Sequence, residues 1–425
     1  MQESSKKTVF IVGAAGYVGE MLCDQFSQRD DVGQIIALDK EPQSEYSQKI
    51  PKLTYIQQNM ADDGWQETVA AYNPDAVVHT AWQIRAMYGR RKLEQNSPLK
   101  KDEYERLAEQ RRRSFSGYDS KFELDGTKSA SLSTSSSRSE NKQLGLAPNS
   151  VPASLEQWRW NVEGSDKVFD FAFNNPSVKK LVYFSTASSY SARKDNRFDH
   201  LFTEEEGFRD DDYIYAHEKK VTEENLLAMY NTMKSDGANL PQVTVVRPAA
   251  ITGPRGRYMR IRFGLQSALQ GNLKGGFINR VITTLTSYVP ATKGWVRQFI
   301  HEDDVTDIVS KVVFEEMDWD YNVFNITPVS EAVYAPDMAQ AVGKKVLPIQ
   351  PWMARFAFWF FWHTTRGRIP TCSGSWRFYS YPLLMSGEKL ATVYECKYSS
   401  QDAFKYTDGR YSDYVPDDKK KSKKL

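Results

Sequence analysis

Short apolar runs alternate with helical patterns through the first half of the chain. Six runs of four or five residues have the length and composition of buried strands, and they cover residues 8–12, 35–38, 53–56, 76–79, 180–184 and 243–246. Apolar residues three and four positions apart predict amphipathic helices over 17–29, 158–174 and 218–234. Strands that are apolar on both faces and alternate with helices indicate a parallel sheet covered by helices on both sides.

The alternation weakens in the second half of the chain, where a smaller mixed α/β lobe is predicted. Helical patterns cover 260–270, 279–288, 303–316 and 335–342, and a further strand is predicted over 322–326. We therefore expect residues 251–412 to form a substrate-binding lobe, with some strands returning to the main sheet. Residues 413–425 end in a run of lysines and are expected to be a frayed basic tail.

One segment, residues 83–154, carries no strand pattern. It contains the basic run 111–113 and a stretch over 114–139 that is dominated by serine. This composition cannot bury enough apolar surface to offset the entropy of ordering, so the segment is predicted to be a disordered low-complexity insertion. A solvated insertion without chemistry is favoured, and a partner-binding arm stays open.

Charge and cysteine content narrow the classes of function. The 425 residues carry 56 Lys and Arg against 54 Asp and Glu, a net charge of +2 that gives no global field for nucleic acid. The three cysteines are widely spaced, which fits a reduced compartment. The N-terminus has no signal-peptide core, and the apolar stretch 352–362 is too short to span a bilayer, which takes about 20 residues. We expect a cytoplasmic protein, and a homodimer stays open.

A glycine-rich turn follows the first predicted strand. Gly13 at the strand end permits a tight turn, Gly16 lets backbone amides approach a pyrophosphate, and Gly19 allows close packing of helix on sheet. The free N–H groups and the dipole of the following helix favour phosphate. The sequence therefore predicts a Rossmann-type dinucleotide-binding domain formed by residues 1–82 and 155–250.

The second strand ends in an acidic residue that selects the cofactor. Asp39 lies 20 residues after Gly19, where a carboxylate accepts hydrogen bonds from ribose hydroxyls and repels a 2′-phosphate. NAD is therefore expected rather than NADP. The residues expected to bind it are Gly13, Gly16, Tyr17, Val18, Gly19, Asp39, Asn59, Met60, Thr80, Ala81, Lys219 and Pro248.

Several motifs together carry a family resemblance. The glycine spacing is G-x-x-G-x-x-G, Tyr215 and Lys219 form Y-x-x-x-K, and the strand over 181–186 ends in Ser-Thr. Arg247-Pro248 with Gly253-Pro254, the stretch 297–305 and the Asn-Val-Glu-Gly of 161–164 follow in matching order. Across residues 8–325 the chain resembles the extended short-chain dehydrogenase/reductases, specifically the NAD-dependent epimerase/dehydratase family.

The Y-x-x-x-K pair predicts acid/base chemistry. Residues four apart share one helix face, so Tyr215 and Lys219 project together, and the ammonium is expected to lower the pKa of the phenol. Tyr215 can then take a proton from a substrate hydroxyl, while Lys219 can also bind the nicotinamide ribose. The resemblance places Thr186 in the catalytic Ser/Thr position, with Ser185 as the near alternative and a substrate contact. His217 is interpreted as solvated.

The substrate is less defined by the sequence. Asn59 stands where the family often has an acidic residue for adenine, and Ala250 replaces an asparagine common in nucleotide-sugar members. Arg297 matches an arginine that pairs with substrate phosphates in sugar epimerases. The basic residues near it, which form either a second part of that site or a solvated face, are Arg255, Arg257, Arg260 and Arg262. The aromatic segment 351–362 is interpreted as core, with an apolar pocket or a membrane surface as alternatives.

Three functions follow from these observations. The first is a nucleotide-sugar epimerase, in which hydride transfer is transient and Tyr215 is the acid/base. The second is a net NAD-dependent oxidoreductase on an apolar secondary alcohol, similar to hydroxysteroid dehydrogenases. The third is a non-catalytic NAD sensor, which retention of Thr186, Tyr215 and Lys219 disfavours. No metal is expected, because the acidic run 302–304 beside His301 lacks ligand spacing and is typical of a helix N-terminus.

Overall fold

A seven-stranded parallel sheet forms the centre of the protein. The computed structural model describes residues 6–83, 153–209, 213–253, 255, 288–341, 345–364, 371–372 and 374–404. The strands are β1 (Lys7–Val12), β2 (Val32–Asp39), β3 (Leu53–Gln57), β4 (Ala76–His79), β5 (Lys180–Phe184), β6 (Gln242–Pro248), β7 (Ala250–Thr252), β8 (Tyr288–Ala291), β9 (Val296–Arg297), β10 (Phe299–His301), β11 (Tyr321–Ile326), β12 (Val333–Tyr334) and β13 (Lys345–Pro348). The main sheet has the order β11-β6-β5-β4-β1-β2-β3, and its strand pairs are all parallel. This doubly wound, Rossmann-type order confirms the predicted fold class.

Helices cover both faces of this sheet. They are α1 (Tyr17–Ser27), α2 (Trp65–Ala70), α3 (Ala153–Trp158), α4 (Gly164–Asn174), α5 (Ile214–Ser235), α6 (Glu302–Phe314), α7 (Ala335–Ala341), α8 (Pro351–Thr364), α9 (Glu388–Ala391) and α10 (Ser400–Phe404). Side chains of α1 and α6 pack on one face together with Val9 and Ile11. Those of α2, α4 and α5 pack on the other face with Phe10 and Val12. The alternation along β1 explains why the strand is apolar throughout.

The second half of the chain contributes to both the sheet and the smaller lobe. Strand β11 pairs with β6 at the sheet edge, so the predicted strand over 322–326 is confirmed and returns to the main sheet. Three small strand pairs, β7 with β10, β9 with β12 and β8 with β13, form the smaller lobe. Trp295, Phe299 and Met338 are buried in its core. No helix among the described residues is both long and apolar enough to cross a bilayer.

The predicted elements that fall on described residues are confirmed with shifted ends, except that one helix is different in kind and Tyr288, predicted as helical, begins a strand. The predicted helix over 158–174 begins earlier, at Ala153, and a π-helical turn at Arg159–Glu163 separates α3 from α4. Helix α5 begins at Ile214 rather than 218, which places Tyr215 inside it. The predicted helix over 260–270, the predicted helix over 279–288 apart from Tyr288, most of the 83–154 insertion and the 413–425 tail lie outside the described residues.

Candidate functional site

A cavity of about 560 Å³ opens where the parallel strands end, between the sheet and the smaller lobe. Ligands of doubly wound sheets bind at this carboxyl edge. Most of the sequence-predicted site residues line it, and these are Gly13, Gly16, Tyr17, Val18, Gly19, Asp39, Asn59, Met60, Thr80, Ala81, Thr186, Tyr215, Pro248 and Arg297. Lys219 and Ser185 are buried behind this lining, at 3% exposure each.

The glycine turn makes a cradle that no larger residue could form. Gly13 has a φ of +92°, and a Cβ there would meet the Ala81 backbone nitrogen at 2.4 Å. A Cβ at Gly19 would lie 2.1 Å from the Gly13 carbonyl oxygen. Gly16 is the N-cap residue of α1 and has an extended backbone conformation, so no side chain covers the first N–H groups of the helix. Backbone therefore lines the start of α1, which fits the pyrophosphate of a dinucleotide.

Asp39 ties the end of β2 to the glycine turn. Its carboxylate accepts hydrogen bonds from the N–H groups of Ala15 (3.0 Å) and Glu41 (2.9 Å). Burial raises its pKa, and the two backbone donors oppose that shift. A carboxylate can accept about four hydrogen bonds, and these two backbone donors hold that of Asp39 at the cavity. Its remaining acceptor sites fit ribose hydroxyls.

Residues that follow β3 and β4 line the same part of the cavity as the glycine turn and Asp39. Asn59 Oδ1 accepts from the Ala61 N–H at 3.0 Å, and the Thr80 hydroxyl donates to the Val12 carbonyl at 2.9 Å. Tyr17, at the start of α1, donates its hydroxyl to the buried Glu302 carboxylate at the start of α6. These contacts fix side chains from four separate segments around one opening.

Tyr215 and Thr186 meet at the centre of the cavity lining. Tyr215 lies in the first turn of α5, and Thr186 is the second residue after β5. Burial raises the pKa of the Tyr215 phenol, and its hydrogen bond with Thr186 opposes that rise. These surroundings favour the neutral form of the phenol.

The predicted lowering of the Tyr215 pKa by Lys219 stays a prediction, because burial moves both groups towards their neutral forms. Lys219 Nζ donates to the Phe184 carbonyl and lies 3.8 Å from the centre of the Trp82 ring. Burial lowers the Lys219 pKa well below its ordinary value, against opposing pulls from Glu223 and Glu218. Because that burial disfavours the ammonium, the rise in the phenol's pKa is not offset by Lys219.

Two further sequence interpretations are corrected. His217 was expected to be solvated, yet it is 6% exposed, because α5 packs across the sheet with most of its first turn buried. Ser185 donates its N–H to the Val246 carbonyl at 2.8 Å and does not line the cavity. Its predicted substrate contact therefore has no geometric support, whereas Thr186 has.

Arg297 reaches the cavity from the smaller lobe. Its Nη2 donates to the Phe378 carbonyl at 3.0 Å, and its guanidinium lies 5.3 Å from the centre of the Tyr379 ring. Arg255 differs, because Glu302 and Asp303 pair with its guanidinium and it does not line the cavity. Its predicted role at a substrate phosphate is disfavoured. Arg257, Arg260 and Arg262 lie outside the described residues.

Comparison with known proteins identifies the family. The model of the NAD dependent epimerase/dehydratase family matches residues 9–93 and 143–327, which is more than half of the chain. The chain belongs to this family. It is an NAD-dependent enzyme of the extended short-chain dehydrogenase/reductase type. A search of curated protein sequences found no match.

Solved structures share the fold of this epimerase/dehydratase-family chain. One is dTDP-glucose 4,6-dehydratase from Bacillus anthracis in complex with NAD, at 15% identity, covering 95% of each chain with a TM-score of 0.55. UDP-glucuronic acid 4-epimerase from Bacillus cereus, in complex with UDP-glucuronic acid and NAD, is 13% identical. It covers 96% of this chain and 98% of its own, with a TM-score of 0.56. The enzyme WbmG from Bordetella bronchiseptica, with NAD and UDP, is 16% identical, with coverages of 96% and 94% and a TM-score of 0.56.

Three residues that were not predicted from the sequence also line this cavity of the epimerase/dehydratase-family chain: Trp82, Trp160 and Asn161. Trp82 lines the cavity three residues after β4, stands over Lys219 and meets the Tyr215 ring edge-on at 6.4 Å. The π-helical turn carries Trp160 and Asn161 to the cavity, and such turns are frequent at functional sites. Trp82 could have been found, because it follows a strand that ends at the binding edge. Nothing in the sequence signals the π-helical turn.

Proposed function

We propose that this protein is a nucleotide-sugar epimerase that works by transient hydride transfer, with Tyr215 as the acid/base. The main support is that Tyr215 and Arg297 line the same cavity, one from the sheet side and one from the smaller lobe. The site therefore offers a proton acceptor and a fixed cation on opposite walls. Solved structures of the same fold contain UDP-glucuronic acid or UDP beside NAD.

The side chains divide the chemical work. Bound NAD supplies a hydride acceptor and donor. Tyr215 takes the proton of a substrate hydroxyl and returns it when the hydroxyl re-forms. Thr186, hydrogen-bonded to Tyr215, orients the same oxygen. Because the proton and the hydride both return to the sugar, the reaction is redox-neutral.

Arg297 supplies the contact for the nucleotide diphosphate. The Phe378 carbonyl and the Tyr379 ring hold its guanidinium in place. A guanidinium has five N–H donors in a planar fork, so donors remain for two phosphate oxygens. A fixed arginine loses little entropy on binding and favours a planar, bidentate partner.

A second function is favoured by the apolar part of the same wall. Val296, Phe378, Leu383 and Met385 line the cavity on the lobe side. Such a wall suits an apolar secondary alcohol, for which the enzyme would be a net NAD-dependent oxidoreductase. The non-catalytic NAD sensor has weaker support, because Thr186 and Tyr215 are hydrogen-bonded to each other at the cavity.

The test compares two substrate panels. Purified protein is incubated with NAD and either nucleotide sugars or apolar alcohols, with sugars followed by chromatography and NADH by absorbance. We expect an epimerised sugar and no accumulating NADH. Stoichiometric NADH from an apolar alcohol, with every sugar unchanged, would establish the second function instead.

Arg297→Ala tests the phosphate contact separately. Loss of a charged hydrogen-bonding pair should weaken sugar-nucleotide binding by about 1.5–3 kcal/mol. Arg29→Ala, which removes a surface arginine paired with Asp31, is the matched control and should leave binding unchanged. Equal affinity in the Arg297 variant would show that the diphosphate, if bound, lies elsewhere.

A further inference from the structure

Helix α8 presents an outer aromatic face to solvent. This face consists of Trp352, Met353, Phe356, Trp359 and Phe360, whose exposed fractions are 67%, 39%, 60%, 58% and 44%. Thirteen large apolar side chains are exposed among the described residues, and five of them lie on this one helix. Scattered exposed apolar residues are ordinary, whereas a contiguous group marks an interaction surface.

The inner side of α8 is anchored to the smaller lobe. Ala354 and Trp362 are buried, and the Phe358 ring packs against Tyr379 with centroids 5.0 Å apart. The outer aromatic face therefore has a defined place on the protein surface. Its described ring contacts run along the helix itself, as between Phe356 and Trp359 at 6.0 Å.

The charged residues near this helix in the sequence are all basic. Residues 338–387 contain no Asp or Glu and six Lys or Arg, in a chain whose net charge is only +2. Arg355 is exposed on α8 itself and lies 5.9 Å from the Trp376 ring, and Arg377 follows on the adjoining segment. An aromatic face that shares its helix with the exposed Arg355 complements an apolar layer bordered by anions.

We propose that the outer aromatic face of α8 inserts into the interface of an anionic lipid bilayer. Tryptophan and phenylalanine prefer the headgroup boundary, and nearby Lys and Arg bind anionic lipids. With 14 residues α8 cannot span a bilayer, so it lies in the plane of the interface. A second copy of the chain is a poorer occupant, because a symmetric contact would oppose two basic surfaces.

The proposal places α8 between the lipid and the segment that lines the cavity. The segment Ser375–Tyr379 packs against α8 through Tyr379, and Phe378 from the same segment lines the cavity. Membrane attachment at α8 is compatible with either proposed substrate class and does not rest on the epimerase assignment.

The experiment measures partition of the full chain between solution and sedimenting vesicles. We expect binding to phosphatidylcholine mixed with phosphatidylserine, and weaker binding to phosphatidylcholine alone. The combined variant Trp352→Ser, Phe356→Ser and Trp359→Ser should reduce partition roughly tenfold or more, and Arg355→Gln about fivefold. Leu227→Ser with Val329→Ser removes exposed apolar residues elsewhere and is the matched control.

Three results would overturn the proposal. The first is unchanged vesicle partition in the triple variant, and the second is no wild-type binding to anionic vesicles. The third is a dimer in sedimentation velocity without lipid that the triple variant abolishes, since a second copy would then cover the face. Should the triple variant fail to fold, quenching of wild-type tryptophan fluorescence by brominated lipids decides the matter, and unquenched fluorescence refutes insertion.

Discussion

Glu218 is a buried carboxyl on the turn of α5 that joins Tyr215 to Lys219, and its environment makes the stability of the protein depend on pH. It has no exposed surface. Its Oε2 accepts hydrogen bonds from Asn161 Nδ2 at 2.8 Å and Gln157 Nε2 at 3.0 Å. Burial raises its pKa to about 7 from 4.5, although the two amide donors and Lys219 oppose the shift. The folded protein therefore holds this proton over a range in which the unfolded chain has released it.

The sign and size of the effect follow from linkage. A carboxyl with a raised folded-state pKa contributes stability that is complete below 4.5 and is lost as the pH rises through about 7. At 1.36 kcal/mol for each pKa unit, the full rise is worth about 3 kcal/mol of unfolding free energy. Glu218→Gln keeps an oxygen for both amide donors and never ionises. Its stability relative to wild type should therefore grow by about 2–3 kcal/mol between pH 5 and pH 8.

Denaturant unfolding of the cofactor-free protein across that pH range is the assay. Glu224→Gln on the same helix is the control, because Glu224 is partly exposed and lies 3.9 Å from Lys220. Its profile should follow that of wild type. Parallel profiles for wild type and Glu218→Gln would refute the reasoning, since they would show that the Glu218 carboxyl titrates alike in folded and unfolded chains.

The remaining predictions concern the cofactor and the acid/base. Gly13→Ala should abolish NAD binding in calorimetric titration, because its Cβ would meet the Ala81 nitrogen at 2.4 Å. Gly237→Ala is the control: Gly237 also has a positive φ, of +80°, but lies in open space, so this variant should bind NAD normally. The same titration should give tighter binding of NAD than of NADP if Asp39 faces the ribose, and equal affinities would contradict that role. Tyr215→Phe should lower turnover by about 100-fold or more with NAD affinity retained, and activity beyond a few per cent would mean that another base acts.

The parts of the fold that obey local rules were predictable from the sequence. Strand β1, the glycine turn and α1 occupy the predicted places, because apolar runs and glycine spacing constrain the backbone over a few residues. The acidic start of α6 was predicted for the same reason, and His301 caps it by accepting from the Asp303 N–H at 3.2 Å. Propensity and capping act within one turn, so a single sequence reveals them.

Features that depend on contacts between distant segments were not predictable. Asn161 forms hydrogen bonds with the Gln83 backbone and the Glu218 carboxylate, and these three residues come from three different parts of the chain. The π-helical turn that carries Asn161 has no sequence signature of its own. Trp82 reaches Lys219 only because β4 and β5 are neighbours in the sheet.

The pKa of Tyr215 likewise depends both on a local feature, its spacing from Lys219, and on burial by distant segments. The spacing of Tyr215 and Lys219 predicted their proximity, and proximity of a phenol to an ammonium ordinarily lowers the phenol's pKa. Burial is the largest cause of the shift for Tyr215, Glu218 and Lys219: it raises the pKa of Tyr215 and Glu218 and lowers that of Lys219. Each shift favours the neutral form, because the first turn of α5 is covered by Trp82 and by the π-helical turn, which the sequence did not reveal. Positive charge that enters the cavity would favour the phenolate of Tyr215, so its action as a base is expected to depend on what is bound there.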